Sequence, residues 1–464
     1  MDIRLFNTYS GTKEEFTPLS RGSVGMYHCG PTVYNYAHIG NLRAYVFADT
    51  IRRTFEFAGY KVKQVVNITD VGHLTSDADT GKDKIEERAR TENKSASEIA
   101  NFYTEAFFKN LKDLNVNTAG TLFPKASEHI KEQIDLIRRL EEKGFTYKTS
   151  DGIYFDTAKF KDYGKLGHVD LAGQVEGARV EINSEKRHPT DFALWKFSQP
   201  YEKRLQEWES PWGVGFPGWH IECSAMSMKY LGETFDIHTG GIDHIPVHHN
   251  NEIAQSVCAT GKEFARYWMH SAFVQVRGEK MAKSKNNFLT LDGLAEEGVS
   301  PLAYRYWLLT SHYRTPVNFT DEAAENAGTT LEKLKRFIGK AKMGGAPLPE
   351  WIAKFERLIG DDFDTPGAIA LMWKLIRNRS EKEEDKRATV LEFDKVLGLG
   401  LAELPQKTVS QRVPKEVKDL LKKRESARAE KDFASSDSLR DEIARLGYRV
   451  MDTPDGQVVE ALPR

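Results

Sequence analysis

Cysteine is nearly absent from this chain: Cys29, Cys223 and Cys258 are the only three in 464 residues. So few thiols cannot build a disulfide framework, and they point to a reducing, cytoplasmic setting. No run of about 18 apolar residues occurs, which excludes a membrane-spanning helix. The start, MDIRLFNTYSGTKEEF, lacks the apolar stretch of a secretory signal. Charge of one sign is missing too: 66 Lys and Arg against 68 Asp and Glu leave a formal net charge of −2. That gives no global attraction to a polyanion, although a local basic face suffices to bind one. What remains is an ordinary globular composition, 40% apolar and 29% charged, long enough for about three domains.

Residues 24–29, VGMYHC, predict a short buried strand that breaks at Gly30-Pro31. From His38 onward, Leu42, Val46, Phe47, Ile51 and Phe55 recur at helical spacing, up to a stop before Gly59. KVKQVVNITD, 61–70, is β-branched and predicts a second strand. Strand, helix and strand in that order imply a parallel sheet and an α/β, Rossmann-like class. His38-Ile39-Gly40-Asn41 lies at the helix start. Free N–H groups and the positive dipole end there suit a phosphate. Gly40 admits close approach of a ligand, and the His38 imidazole can donate to phosphate oxygens. Four residues taken alone do not separate this from a plain helix start with a satisfied surface histidine.

The stretch 217–256 gathers the residue types that bind zinc. Residues 235–238 predict a strand ending at Thr239-Gly240-Gly241, and Asp243 just beyond can hold a ribose hydroxyl. Residues 247–258 predict a helix on which His248 and Glu252, four apart, share a face. With Cys223, at the lead-in to another helix, and Cys29, at a strand end, they form a set for one zinc ion. Cys258 reads as a small buried apolar residue, and His238 and His249 as polar partners rather than ligands. Residues 268–276 predict one strand, followed at 277–287 by a mobile cationic loop with Gly278 as its hinge. Lys280 and Lys283 in that loop can reach one polyphosphate. From Asp321 the chain is helical in charged and apolar stripes, as in a bundle. Residues 403–414 form a Pro-rich polar linker, and the tail predicts two helices and a hairpin with a basic start. That start is either a phosphate-backbone face or a solvated helix.

The ordered set HCGPTVYNYAHIGN, VVNITD, PGWHIECSAM, DIHTGG, HHNNEIAQS, YWMHS and KMAKS resembles the cysteinyl-tRNA synthetase family of class I aminoacyl-tRNA synthetases over nearly the whole chain. The resemblance implies a Rossmann-like catalytic domain at 1–118 and 201–276, split by an insertion at 119–200. A stem-contact region (277–320), a helical bundle (321–402), a linker (403–414) and an anticodon-binding domain (415–464) would follow. The family's HIGH motif falls on His38, Ile39, Gly40 and Asn41, with Asn in place of the last His. Its KMSKS motif falls on Lys280, Met281, Ala282, Lys283 and Ser284, with Ala in place of the first Ser. Its zinc ligands fall on Cys29, Cys223, His248 and Glu252, its pocket tryptophan on Trp219, and Thr69 would lie near the amino acid. Where the family often has DLMFPHHENE, this chain has DHIPVHHNNE, and it ends GQVVEALPR without the family's frequent Trp. The function implied is ATP-dependent activation of L-cysteine, with Mg2+, and transfer to tRNA(Cys) by a monomer. Zinc–thiolate bonding would select cysteine over serine, and no editing domain would be required. Alternatives are a cysteine ligase acting on an amino-sugar, a non-catalytic tRNA-binding paralogue, or a purely structural zinc site.

Overall fold

Four parallel strands form the centre of the larger unit: β1 (Ser23–His28), β2 (Lys61–Val66), β3 (Phe235–Gly241) and β4 (Ala265–Ser271), in the order β4-β3-β1-β2. The computed structural model describes residues 1–71, 83–169, 184–199, 204–281, 288–403, 414–429, 432–453 and 456–461. Val24, Met26 and Tyr27 of β1 are all buried, as befits a strand covered on both faces. The first crossover is the helix α1 (Ile39–Phe57). After β2 the chain returns to the other side of β1 as β3. The reversal leaves a crevice beyond the carboxyl ends of β1 and β3, the place where open α/β sheets bind ligands.

Beyond β2 the chain does not continue as a strand to residue 70. Instead, residues 67–69 lie against 31–33, with Val33 N donating to Thr69 O (3.1 Å) and Thr69 N to Pro31 O (3.0 Å). Gly30 makes this possible: a Cβ there would lie 1.4 Å from Asn67 O. The single strand expected at 268–276 is two strands in different sheets. β4 stops at Ser271, and Val274–Val276 pairs with Val317–Phe319 and Glu279–Lys280.

A separate antiparallel sheet is built from Thr146–Lys148, Gly152–Phe155, Phe192–Phe197 and Gly215–Pro217. Helices Asp321–Lys340, Pro349–Gly360, Thr365–Arg377 and Glu383–Leu397 follow the parallel sheet. The chain divides into two compact units, Met1–Leu404 and Pro405–Arg464. The second holds helices Lys415–Ala429 and Phe433–Arg445, a hairpin of Tyr448–Thr453 with Gly456–Ala461, and its own core of Val417, Leu420, Ile443 and Val450.

Candidate active site

Four elements converge at the crevice. Cys29 follows β1 directly. Cys223 lies one turn inside the helix α2 (Trp219–Leu231), which starts earlier than the residues after Cys223 suggested. His248 lies in a single turn of π-helix, Ile245–His249, and Glu252 in the helix α3 (Asn250–Thr260) that continues it. Such wide turns recur at functional sites. All four side chains are buried, and their ligand atoms lie within 4.8 Å of one another. Cys29 Sγ is 3.6 Å from Glu252 Oε1. His248 Nε2 is 3.0 Å from the same oxygen yet makes no aligned hydrogen bond among the described residues. A buried ring nitrogen that approaches a carboxylate without aligning to it, beside two thiols, fits a metal ion. His220 Nδ1 lies 2.8 Å from His248 Nδ1. When His248 donates there, its Nε2 lone pair is left for a metal.

The two thiols are unequal. The hydrogen bond from Cys29, and then His248, lower Cys223 to about 6, whereas burial holds Cys29 well above the usual thiol range. Burial pushes Glu252 up, but His238 and His248 outweigh it and hold the carboxylate well below its ordinary range. A second set, Cys29, His238, His249 and Glu252, is equally tight. His238 Nε2 meets Glu252 Oε2 at 3.0 Å, and His249 Nε2 meets Cys29 Sγ at 3.3 Å. Behind His249 stand His270 (2.7 Å) and then Thr8 (2.8 Å). His220 and His270 are not legible as site residues in the sequence. The only signal for them is their place in the runs PGWHIECSAM and YWMHS.

Trp219 is half-buried, its ring 4.5 Å from that of His248. Thr69 donates to Glu222 Oε2 at 3.0 Å, while Glu222 Oε1, fully buried, has no hydrogen-bond partner among the described residues.

At the start of α1, His38 is the N-cap, and its Nδ1 accepts from Asn41 N at 3.1 Å while Asn41 Oδ1 accepts from His38 N at 3.3 Å. The neutral ring therefore carries its proton on Nε2. The expected set of free helix N–H groups is smaller than the sequence suggested. Ile39 N donates to Leu289 O (2.9 Å) and Asn41 N is taken by His38, so among the described residues Gly40 N is left open in the first turn. A Cβ on Gly40 would sit 2.6 Å from Met281 Cε and 3.0 Å from the His38 ring. Met281 thus joins the second motif to the first. The Lys280 backbone belongs to the strand Glu279–Lys280. Ala282, Lys283 and Ser284 lie outside the described residues. Asp243 is exposed, and its charge acts on His38.

Residues 15–329 match the family described as tRNA synthetases class I (C) catalytic domain, and residues 410–459 match the cysteinyl-tRNA ligase anticodon binding domain. Cysteine–tRNA ligase 1 of Burkholderia lata is 50% identical over 458 residues, covering 98% of this chain and 96% of that protein. The chain belongs to the cysteine–tRNA ligase family. The cysteine–tRNA ligase of Zymomonas mobilis is 43% identical, with 97% of this chain and 96% of that one covered. The cysteine–tRNA ligase of Thermococcus onnurineus is 41% identical, with 99% of each covered. Among solved structures, methionyl-tRNA synthetase of Mycobacterium tuberculosis with methionyl-adenylate superposes with a TM-score of 0.53 at 16% identity, over 83% of this chain and 92% of that one. The LeuRS–tRNA–LeuAMS complex of Agrobacterium radiobacter gives 0.59 at 12% identity, over 83% and 84%. These distant likenesses establish the class I fold. As a cysteine–tRNA ligase family member the chain is an aminoacyl-tRNA synthetase, and none of its described helices is long and apolar enough to cross a membrane.

Proposed function

We propose that the chain is a cysteine–tRNA ligase that works as a cytoplasmic monomer. It joins L-cysteine to ATP, giving cysteinyl adenylate and pyrophosphate, and passes the cysteinyl group to the 3′-terminal adenosine of tRNA(Cys). The observation that carries this reading is the buried quartet Cys29, Cys223, His248 and Glu252 at the switch point of the sheet. A zinc ion held by these four supplies a thiophilic Lewis acid, which favours a thiol over a hydroxyl and lowers the thiol pKa on binding.

The reaction needs no protein nucleophile, so the residues act by positioning and by stabilising charge. Trp219 and Thr69 bound the amino-acid pocket. His38, through Nε2–H, and the Gly40 N–H meet the α-phosphate. Lys280 and Lys283, with Met281, Ala282 and Ser284, cover the β- and γ-phosphates that magnesium accompanies. Asp243 takes a ribose hydroxyl. In this division, residues 277–320 contact the acceptor stem and 415–464 the anticodon, while 119–200 interrupts the catalytic domain. The match of residues 410–459 to an anticodon-binding domain speaks against the amino-sugar ligase.

The test is ATP–pyrophosphate exchange with cysteine and with serine, on protein of known zinc content, followed by addition of tRNA or an amino-sugar acceptor. Exchange with cysteine alone and transfer to tRNA are expected. Folded, zinc-bearing protein that exchanges with neither amino acid would overturn the reading.

A further inference from the structure

The segment that carries Lys280 is held more firmly than a hinged loop. Gln275 faces Lys280 and Val276 faces Glu279 in an antiparallel hairpin. Its two turn residues, Arg277 (φ 51°) and Gly278 (φ 83°), are both left-handed. That is the two-residue turn whose twist matches its flanking strands. Gly278 is a turn residue here, not the hinge its position suggested. Its N–H donates to Asn318 Oδ1 at 2.7 Å. The far end of the segment reaches α1 through Met281, whose Cε packs against Gly40.

The near end is held by Arg43, five residues past His38 on α1. Its Nη1 donates to Phe273 O at 2.9 Å. Its Nη2 reaches His312 O (3.2 Å), Tyr313 O (3.2 Å) and Thr315 O (2.7 Å). Arg43 is 3% exposed, and among the described residues no carboxylate pairs with it. A buried guanidinium neutralised only by carbonyl dipoles is a costly way to fill space. A planar fork, however, can gather carbonyls from two chain segments at once, which an apolar side chain cannot do.

We propose that Arg43 is a positioning residue for adenylate formation: it fixes the Lys280-bearing hairpin against the helix whose first turn holds His38, with Asn318 as the second anchor. The two phosphate-binding motifs then keep one separation before ATP arrives. The inference rests on the reading that both motifs act on a single ATP.

The test is Arg43→Lys, which keeps the charge but loses the fork, with Asn318→Ala as companion. Asn318 is exposed, so this variant can be expected to fold. Exchange is measured per active site, counted by the burst of adenylate, beside thermal midpoint, zinc content and cysteine affinity. The expected result for Arg43→Lys is a loss in kcat of about 10²-fold, the scale of a misplacement of about 1 Å. Cysteine affinity and zinc content should stay unchanged, and Asn318→Ala should lose less in the same direction. A smaller active fraction with wild-type kcat per site would make Arg43 merely structural and overturn the proposal. So would parallel loss of kcat and cysteine binding. If Arg43→Lys does not fold, Asn318→Ala decides: wild-type kcat there overturns it. Wild-type enzyme inactive with cysteine would instead remove the adenylation reading itself.

Discussion

At His38 the Asn41 backbone N–H occupies Nδ1, so the side that can meet a phosphate is a neutral N–H donor. Burial lowers the His38 pKa below its ordinary 6.5, against the opposing charge of Asp243. Protonation is thus disfavoured in the folded protein, and the neutral donor persists as pH falls through 6.5. Stability linked to this group is lost only as the unfolded chain's imidazole begins to charge below that value. Asp243→Asn removes an opposing charge and should move the acid limb of kcat/KM for ATP to lower pH. A limb that does not move to lower pH would show that the Asp243 charge does not act on the ring. The Asn that replaces the motif's last His contributes through its backbone N and its Oδ1. Asn41→Ala keeps the backbone N–H and loses only the Oδ1 bond to His38 N, so stability should fall by about 0.5–1.5 kcal/mol, the net worth of one hydrogen bond, while adenylation changes little; calorimetry and exchange read the two separately. At the quartet of Cys29, Cys223, His248 and Glu252, the proposed zinc role predicts that Cys223→Ser abolishes zinc retention and selectivity against serine together, and retained zinc would sink that ligand assignment. Cys29, Cys223, His248 and Glu252 could be named from the sequence because cysteine is so scarce and because His and Glu four apart face one way. His220 and His270 could not, because an isolated histidine gives no sign of which ring it will face.

Among the elements, periodicity located α1 and β1 to within a residue or two, since buried parallel strands and an amphipathic helix leave strong apolar patterns. It failed where tertiary contacts end an element. β4 stops because Ala272 N turns to Tyr313 O and Phe273 O turns to Arg43, and nothing in YWMHSAFVQV marks that break. The helix expected at 247–258 is a π-turn running into α3. His248 and Glu252 still meet there, because one extra residue per turn shifts their facing only slightly. The contact of Met281 with Gly40 makes a prediction at this scale. Gly40→Ala should slow adenylation, because the new Cβ meets Met281 Cε at 2.6 Å and the His38 ring at 3.0 Å. Met281→Ala in the same chain removes the first clash alone. Partial recovery in the double variant is the expected result in exchange kinetics, and additive losses would show that the two motifs do not touch through this pair.

For the whole molecule, a net charge of −2 hides the local balance of the C-terminal unit, whose first helix starts basic. The sequence overcounted that face: Arg424 is 1% exposed and donates to Gln457 Oε1 at 2.9 Å, so it is part of the unit's interior. Lys418, Lys422 and Lys423 remain at the surface. The core of this unit, Val417, Leu420, Ile443 and Val450, shares no residue with the cores of 1–404. Each unit therefore buries its own apolar surface, and the quartet, α1 and the hairpin all belong to the larger one. Chain ending at residue 404 should fold with zinc bound and exchange ATP with cysteine at a rate close to that of the full chain. Its charging of tRNA should weaken mainly through KM, and the salt dependence of tRNA binding should become shallower as phosphate contacts are lost. Loss of exchange in the shortened chain would mean that the second unit is needed for adenylation. An unchanged KM for tRNA would mean that residues 405–464 do not serve in tRNA recognition.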